Sequence, residues 1–66
     1  MYCEIKTPTR VILRQNGGSM FRRYDTRYPI ASAVVSGEGD DAVVTINFTN
    51  GKVGLYAGSG RTIRVP

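Results

Sequence analysis

The stretch Val44-Thr45-Ile46-Asn47-Phe48-Thr49-Asn50-Gly51-Lys52-Val53-Gly54-Leu55-Tyr56-Ala57 constrains the fold more than any other part of the chain, because two alternating apolar runs meet at an Asn-Gly pair. Asn-Gly is the favoured dipeptide of a type I′ turn, whose two central residues both take positive φ. A two-residue loop at Asn50-Gly51 predicts the pairs Thr49 with Lys52, Phe48 with Val53, Asn47 with Gly54, Ile46 with Leu55, Thr45 with Tyr56 and Val44 with Ala57. In that register Val44, Ile46, Phe48, Val53, Leu55 and Ala57 form one continuous buried face. A slip of one residue would send the side chains of one strand to the other face. Tyr56 is thereby expected on the face away from the core, beside Thr45.

The rest of the chain reads as further short strands. Tyr2 to Lys6 alternates, with Cys3 and Ile5 on the core side, and Pro8 then interrupts because it has no N–H for a ladder. Arg10-Val11-Ile12-Leu13-Arg14 leads through Gln15-Asn16-Gly17-Gly18-Ser19 into Met20 to Tyr24, a second hairpin. A two-residue loop at Asn16-Gly17 sets Arg10 opposite Arg23, a destabilising like-charge pair. A three-residue loop at Asn16-Gly17-Gly18 places Arg10 opposite Tyr24 and is preferred for that reason. Residues 29–36 suit either a strand or a short helix, since Pro29 and Gly37 resemble helix boundaries while Ile30, Ser32 and Val34 alternate; their short length favours the strand. Gly37 to Asp41 is a polar loop. At the end, Arg61 to Val65 reads as a strand with Ile63 and Val65 inward and Thr62 and Arg64 outward.

Turn signals at roughly ten-residue intervals define an all-β fold: a small barrel or a tightly bent antiparallel sheet of five to six short strands, with one short helix near 29–36 as the only helical option. Sixty-six residues, without repeats or linkers, make a single domain over 1–66. So short a chain has little surplus of burial over conformational entropy, which makes a homo-oligomer, a homodimer first, an expectation. No run reaches the ~18 apolar residues of a membrane span, and the N-terminus lacks the layout of a secretory signal; a cytoplasmic protein without a membrane partner is expected.

Catalysis is not expected. The chain has no His, and its single Cys3 has no second thiol or imidazole to activate it or share a metal, so no enzyme, cofactor or metal site is assigned. Glu38, Asp40 and Asp41 share one glycine-rich loop, whose simplest role is a solvated turn. Asn47-Phe48-Thr49 matches a glycosylation sequon, but Phe48 reads as core beside a turn.

The charge points to an anionic partner. Nine basic residues against five acidic ones give a net charge of +4, and seven of the nine are Arg. Guanidinium recognises phosphate and carboxylate in a bidentate manner and stacks on rings. Three Arg and three aromatics fall within Phe21-Arg22-Arg23-Tyr24-Asp25-Thr26-Arg27-Tyr28. Arg22, Arg23, Tyr24, Arg27 and Tyr28 are therefore the candidate nucleic-acid-binding residues, with guanidinium groups for phosphates and rings for unpaired bases. The competing interpretation is ordinary packing, with Phe21 in the core and Asp25 paired to an Arg. The competing function is a protein-interaction or regulatory module that presents an apolar sheet face or a free strand edge to an acidic protein partner.

Overall fold

β-Branched residues between closely spaced turn signals make most of this chain strand-forming. The computed structural model describes residues 1–66 and contains seven strands: β1 Tyr2–Thr7, β2 Arg10–Arg14, β3 Met20–Asp25, β4 Ile30–Ser36, β5 Val43–Phe48, β6 Val53–Ala57 and β7 Thr62–Arg64. One 3-10 turn, Gly39–Asp41, precedes β5. Antiparallel pairing gives two sheets, β1-β2-β3 and β4-β5-β6-β7. The all-β expectation holds in its bent-sheet form, with seven strands in place of five to six. Residues 30–36 are strand and not helix, because every one of these residues except Ala31 finds a partner on β5.

One loop chemistry builds three of the hairpins. In the β2–β3 loop Gly18 N–H donates to the Gln15 carbonyl at 2.8 Å and Gln15 N–H donates to the Ser19 carbonyl at 3.0 Å. The β5–β6 loop repeats this through Gly51 to Phe48 at 3.1 Å and Phe48 to Lys52 at 2.9 Å, and the β6–β7 loop through Gly60 to Ala57 at 2.9 Å and Ala57 to Arg61 at 2.7 Å. Gly18, Gly51 and Gly60 have φ of 94°, 85° and 100°, and no other residue in these loops has a positive φ. Each is thus a type I turn closed by a left-handed glycine bulge, a three-residue loop in which only the last position needs glycine.

This chemistry overturns the type I′ register at Asn50-Gly51. Asn50 does not take positive φ; its Oδ1 instead accepts the Lys52 N–H at 2.9 Å. The added loop residue shifts the pairing to Asn47 with Val53, Ile46 with Gly54, Thr45 with Leu55, Val44 with Tyr56 and Val43 with Ala57. Val44, Ile46 and Phe48 are buried as expected, while Val53 and Leu55 turn to the opposite face and are half-buried. Gly54 and Tyr56 take their place on the inner side. The absence of a side chain at Gly54 makes that possible, because the Tyr56 ring lies back along its own strand, 2.9 Å from where a Gly54 Cβ would stand.

At β2–β3 the expected three-residue loop forms, but Phe21 then bulges from the ladder and shifts the register again. Arg10 consequently faces Asp25, and Arg23 faces Ile12. The three-residue loop removes the like-charge clash, and the bulge goes further by bringing a carboxylate opposite Arg10. Arg10 Nε lies 2.8 Å and Arg23 Nε 3.2 Å from the two Asp25 oxygens, while Arg14 Nε lies 2.7 Å from Glu4 Oε1 on the same outer face. The Arg10 hydrogen bond, followed by the charges of Arg23 and Arg10, holds the Asp25 carboxyl below its ordinary range; the Arg14 hydrogen bond does the same for Glu4.

A carboxyl with a depressed folded pKa contributes stability above its unfolded pKa, near 4, and loses it as pH falls through the folded value. All these groups are solvent-accessible, so the effect is modest. Thermal scans between about pH 6 and pH 2 are expected to show the midpoint falling below roughly pH 4, with a smaller fall in Asp25→Asn. An identical acid response in that variant would remove Asp25 from the account.

The core lies between the sheets. Val11, Leu13 and Tyr24 from the first sheet meet Ile30, Val44, Ile46 and Phe48 from the second. Cys3 packs against this cluster, and burial pushes its thiol up, as suits a small hydrophobe. Ile5, Ile63 and Val65, read as inward from their alternation, are exposed: Ile63 bulges out between the Leu55–Arg64 and Tyr56–Thr62 pairs, and Val65 lies beyond β7.

The sheets do not close into a barrel by backbone pairing. At one corner the β1–β2 turn accepts from the β3–β4 connector, Thr26 N–H to the Thr9 carbonyl at 2.8 Å and Ile30 N–H to the Pro8 carbonyl at 2.7 Å. At the seam between β3 and the β6–β7 hairpin, side chains take the place of a ladder. Tyr24 Oη donates to the Ala57 carbonyl, and Arg22 Nε donates to the Gly58 carbonyl at 3.1 Å.

Candidate functional site

Strand alternation separates the residues that sequence proximity had grouped. Arg22 and Tyr24 point inward from β3, while Arg23 and Asp25 point outward. Tyr24 is 5% exposed, its hydroxyl is held by Ala57, and its ring lies 5.5 Å from that of Tyr56. Burial raises its pKa. Tyr24 is therefore a core residue that closes the seam, a correction to its assignment as a base-stacking ring.

Arg22 is half-buried, with its guanidinium 5.9 Å from the Phe21 ring centroid and one hydrogen bond committed to the Gly58 carbonyl. Arg23 is exposed on the outer face of the first sheet, beside Asp25. The five candidates do not share one surface. Arg27 and Tyr28, on the connector, are the two that come together.

The connector is held in place by specific contacts. Thr26 Oγ1 donates to the Tyr28 carbonyl at 3.0 Å, tightening the chain, and Pro29 favours an extended conformation at Tyr28. The Tyr28 ring meets Phe48 edge-on, with centroids 5.9 Å apart. Two cations attend that ring: Arg27 with its guanidinium carbon at 5.6 Å and Lys52 with its ammonium at 5.3 Å from the centroid. Contacts at this range are favourable because the ring face carries the negative part of the quadrupole.

Beside this ring the open seam forms a groove of about 300 Å³. Asp25, Thr26, Arg27 and Tyr28 line it from the connector, Tyr56 from β6, and Thr62, Val65 and Pro66 from the C-terminal segment. Asp25 is its only acidic lining residue and already carries Arg10 and Arg23. Two aromatic rings, a polar wall and the Arg27 guanidinium thus meet in one concavity, with Lys52 at the Tyr28 ring beside it. That arrangement can hold a flat, anionic or electron-rich ligand group.

Tyr56 and Lys52 were not among the sequence candidates. Tyr56 had been placed on the face away from the core by the type I′ register, and Lys52 lies 24 residues from Tyr28 in the chain. A usable signal was present in Gly54-Leu55-Tyr56, since a glycine two residues from a tyrosine on one strand face leaves room for the ring to fold back.

No protein family's sequence profile matches the chain, and no curated protein or solved structure shows significant similarity to it. No helix is long and apolar enough to cross a membrane. The fold and the groove together define a class: a small antiparallel β domain of two bent sheets with an aromatic groove, bordered by Arg27 and Asp25, at its open seam.

Proposed function

We propose that this protein is a non-enzymatic binding domain that takes single-stranded nucleic acid in the groove at the open seam. The observation that carries this reading is the pairing of Tyr28 and Tyr56 in one concavity with Arg27 and Lys52 at the Tyr28 ring. An unpaired base offers a π-face to a tyrosine, and the adjoining phosphate meets a cation a few ångströms away. The net charge of +4 adds a long-range attraction for a polyanion. Arg23 on the neighbouring outer face extends the positive surface; Arg22 and Tyr24 act by holding the seam that forms the groove. Four residues then share the binding work: Arg27 and Lys52 for phosphate, Tyr28 and Tyr56 for bases.

Fluorescence anisotropy with a labelled mixed-sequence single-stranded oligonucleotide at two salt concentrations tests the reading. Binding is expected to weaken steeply with salt, and Arg27→Ala and Lys52→Ala should each lower the salt slope by about 1 while weakening all sequences alike. Tyr28→Ala should cost about 1–3 kcal/mol, or roughly 5- to 150-fold in affinity, with the slope nearly unchanged. Absence of salt-dependent binding by the wild-type protein at low ionic strength overturns the proposal.

A further inference from the structure

Asn-Gly occurs twice in this chain, at Asn16-Gly17 and at Asn50-Gly51, and the fold sets the two pairs at different positions of the same kind of loop. In the β2–β3 loop the Gln15 carbonyl accepts the Gly18 N–H, so Asn16 and Gly17 are the two central residues of the turn. In the β5–β6 loop the Phe48 carbonyl accepts the Gly51 N–H, so the pair sits one position later and Gly51 closes the turn. The chemistry of the glycine nitrogen changes with that position. Gly17 N–H has no acceptor within the chain, and Gly17 is exposed, with nothing within 4 Å of where its Cβ would stand. Gly51 N–H is committed to the Phe48 carbonyl at 3.1 Å, and Asn50 Oδ1 is committed to the Lys52 N–H at 2.9 Å.

The Asn16 side chain is also the more electrophilic of the two. Its Oδ1 accepts from the Met1 ammonium at 2.9 Å, where Asn50 has only a neutral backbone donor. A charged donor on that oxygen draws electron density from Cγ and stabilises the negative charge that attack at Cγ develops there. Asn16 is exposed, so water reaches it.

We propose that Asn16 is a site of spontaneous covalent modification, deamidation through a succinimide, and that the β5–β6 loop protects Asn50 from the same reaction. The Gly17 nitrogen gives up its proton to solvent and bonds to the Asn16 Cγ, closing the ring. The Cγ–Nδ2 bond breaks, its electron pair leaves with the nitrogen, and a proton from water completes ammonia. A second water then adds to one of the two ring carbonyls and reopens it. Addition at Cγ gives aspartate on an ordinary backbone; addition at the Asn16 backbone carbonyl gives isoaspartate, in which the chain runs through Cβ and Cγ. The sum exchanges one amide and one water for one carboxylic acid and one ammonia, with no oxidant, reductant or enzyme. Glycine favours the ring closure because the absence of Cβ leaves its nitrogen unhindered. Attack by Gly51 first requires both loop bonds to break, which slows it by about tenfold or more. The new carboxyl is ionised at neutral pH and removes one unit from the net charge of +4. The loop stands at the Met20 end of β3, whereas the connector that carries Arg27 and Tyr28 leaves from the Asp25 end, so the site is separate from the groove.

Incubation of the full chain at mildly alkaline pH, folded and in parallel unfolded in guanidinium chloride, provides the test, with samples read over time by tryptic peptide mapping and mass spectrometry. Trypsin separates the two sites, since Asn16 falls in the peptide from Gln15 to Arg22 and Asn50 in the peptide from Tyr28 to Lys52, where fragment ions tell it from Asn47. In the folded chain Asn16 is expected to convert about tenfold or more faster than Asn50. In the unfolded chain the two should convert at comparable rates. Gly17→Ala, whose added Cβ meets nothing, should keep the fold and slow conversion at Asn16 several-fold while leaving Asn50 unchanged. No conversion at Asn16 in the folded chain, or equal rates at Asn16 and Asn50 there, overturns the proposal. The same preference for Asn16 after unfolding overturns it too, because local sequence and not the loop would then set the rate. Undiminished conversion in Gly17→Ala removes the Gly17 nitrogen as the attacking group and overturns it as well.

Discussion

Gly58→Ala is expected to lower the melting temperature sharply, although it adds only one methyl group. Gly58 is buried, and its N–H donates to the Ala42 carbonyl at 2.8 Å, which brings the β6–β7 loop against the 3-10 turn at Gly39–Asp41. A Cβ on Gly58 would collide with the Gly39 carbonyl oxygen and stand 3.1 Å from the Gly39 carbonyl carbon and 3.3 Å from the Ala42 Cβ. The obstacle is mostly backbone and cannot rotate away. Relief requires the loop to withdraw, which strains the Arg22 and Tyr24 bonds that close the seam. Overpacking of this kind costs about 1–3 kcal/mol, and each kcal/mol lowers the midpoint of a domain this small by roughly 4–8 °C. Gly17→Ala is the control, because a Cβ there meets nothing within 4 Å and φ is not positive. Calorimetry showing both variants within about 1 °C of wild type would reject the close approach at Gly58.

The second large effect separates the two registers of the β5–β6 hairpin. Under the type I′ pairing Ile46 and Leu55 face each other in the core, and both are expensive to truncate. In the observed pairing Ile46 is fully buried opposite Gly54, whereas Leu55 is half-buried on the far face opposite Thr45. Ile46→Ala is expected to cost about 2–5 kcal/mol, a large part of the stability available to a chain of this size. Leu55→Thr, which puts a β-branched strand former at an outward position, is expected to cost less than about 1.5 kcal/mol. Urea denaturation at low protein concentration measures both. Comparable losses in the two variants would restore the type I′ register.

The difference between the expected and observed hairpins shows where local reasoning stops. Asn50-Gly51 is compatible with two loops, one placing positive φ at both residues and one placing it at Gly51 alone. Both keep Val44, Ile46 and Phe48 inward, so alternation within β5 was legible in either case. They differ in which face of β6 goes inside, and that is decided by what waits there. Tyr56 meets Tyr24 across the seam at 5.5 Å, over a strand kept clear at Gly54. Leu55 at that side would not supply a ring for that contact. The same holds for β3, where the Phe21 bulge exchanges an Arg10–Tyr24 pairing for the Arg10–Asp25 ion pair.

The candidate site was legible in its chemistry and only partly in its membership. Arg27 and Tyr28 are neighbours on a connector, where adjacency in sequence does mean proximity, and both line the groove. Arg22, Arg23 and Tyr24 lie on a strand, where successive side chains point to opposite faces; one ends in the core, one at the seam and one on the outer surface. Tyr56 joins the groove, and Lys52 the Tyr28 ring, from another hairpin altogether.

What the sequence determined by itself was the all-β class, the positions of the turns, the apolar inner face of β5 and the strong positive charge, because each follows from local backbone chemistry or from composition. Tertiary structure alone decided the register of two hairpins, the open seam between β3 and the β6–β7 hairpin, and the groove built there. The reason is physical: a one-residue change in loop length costs little locally, yet it inverts a strand face, so the choice passes to long-range contacts such as Tyr24 with Tyr56 and Gly58 with Ala42.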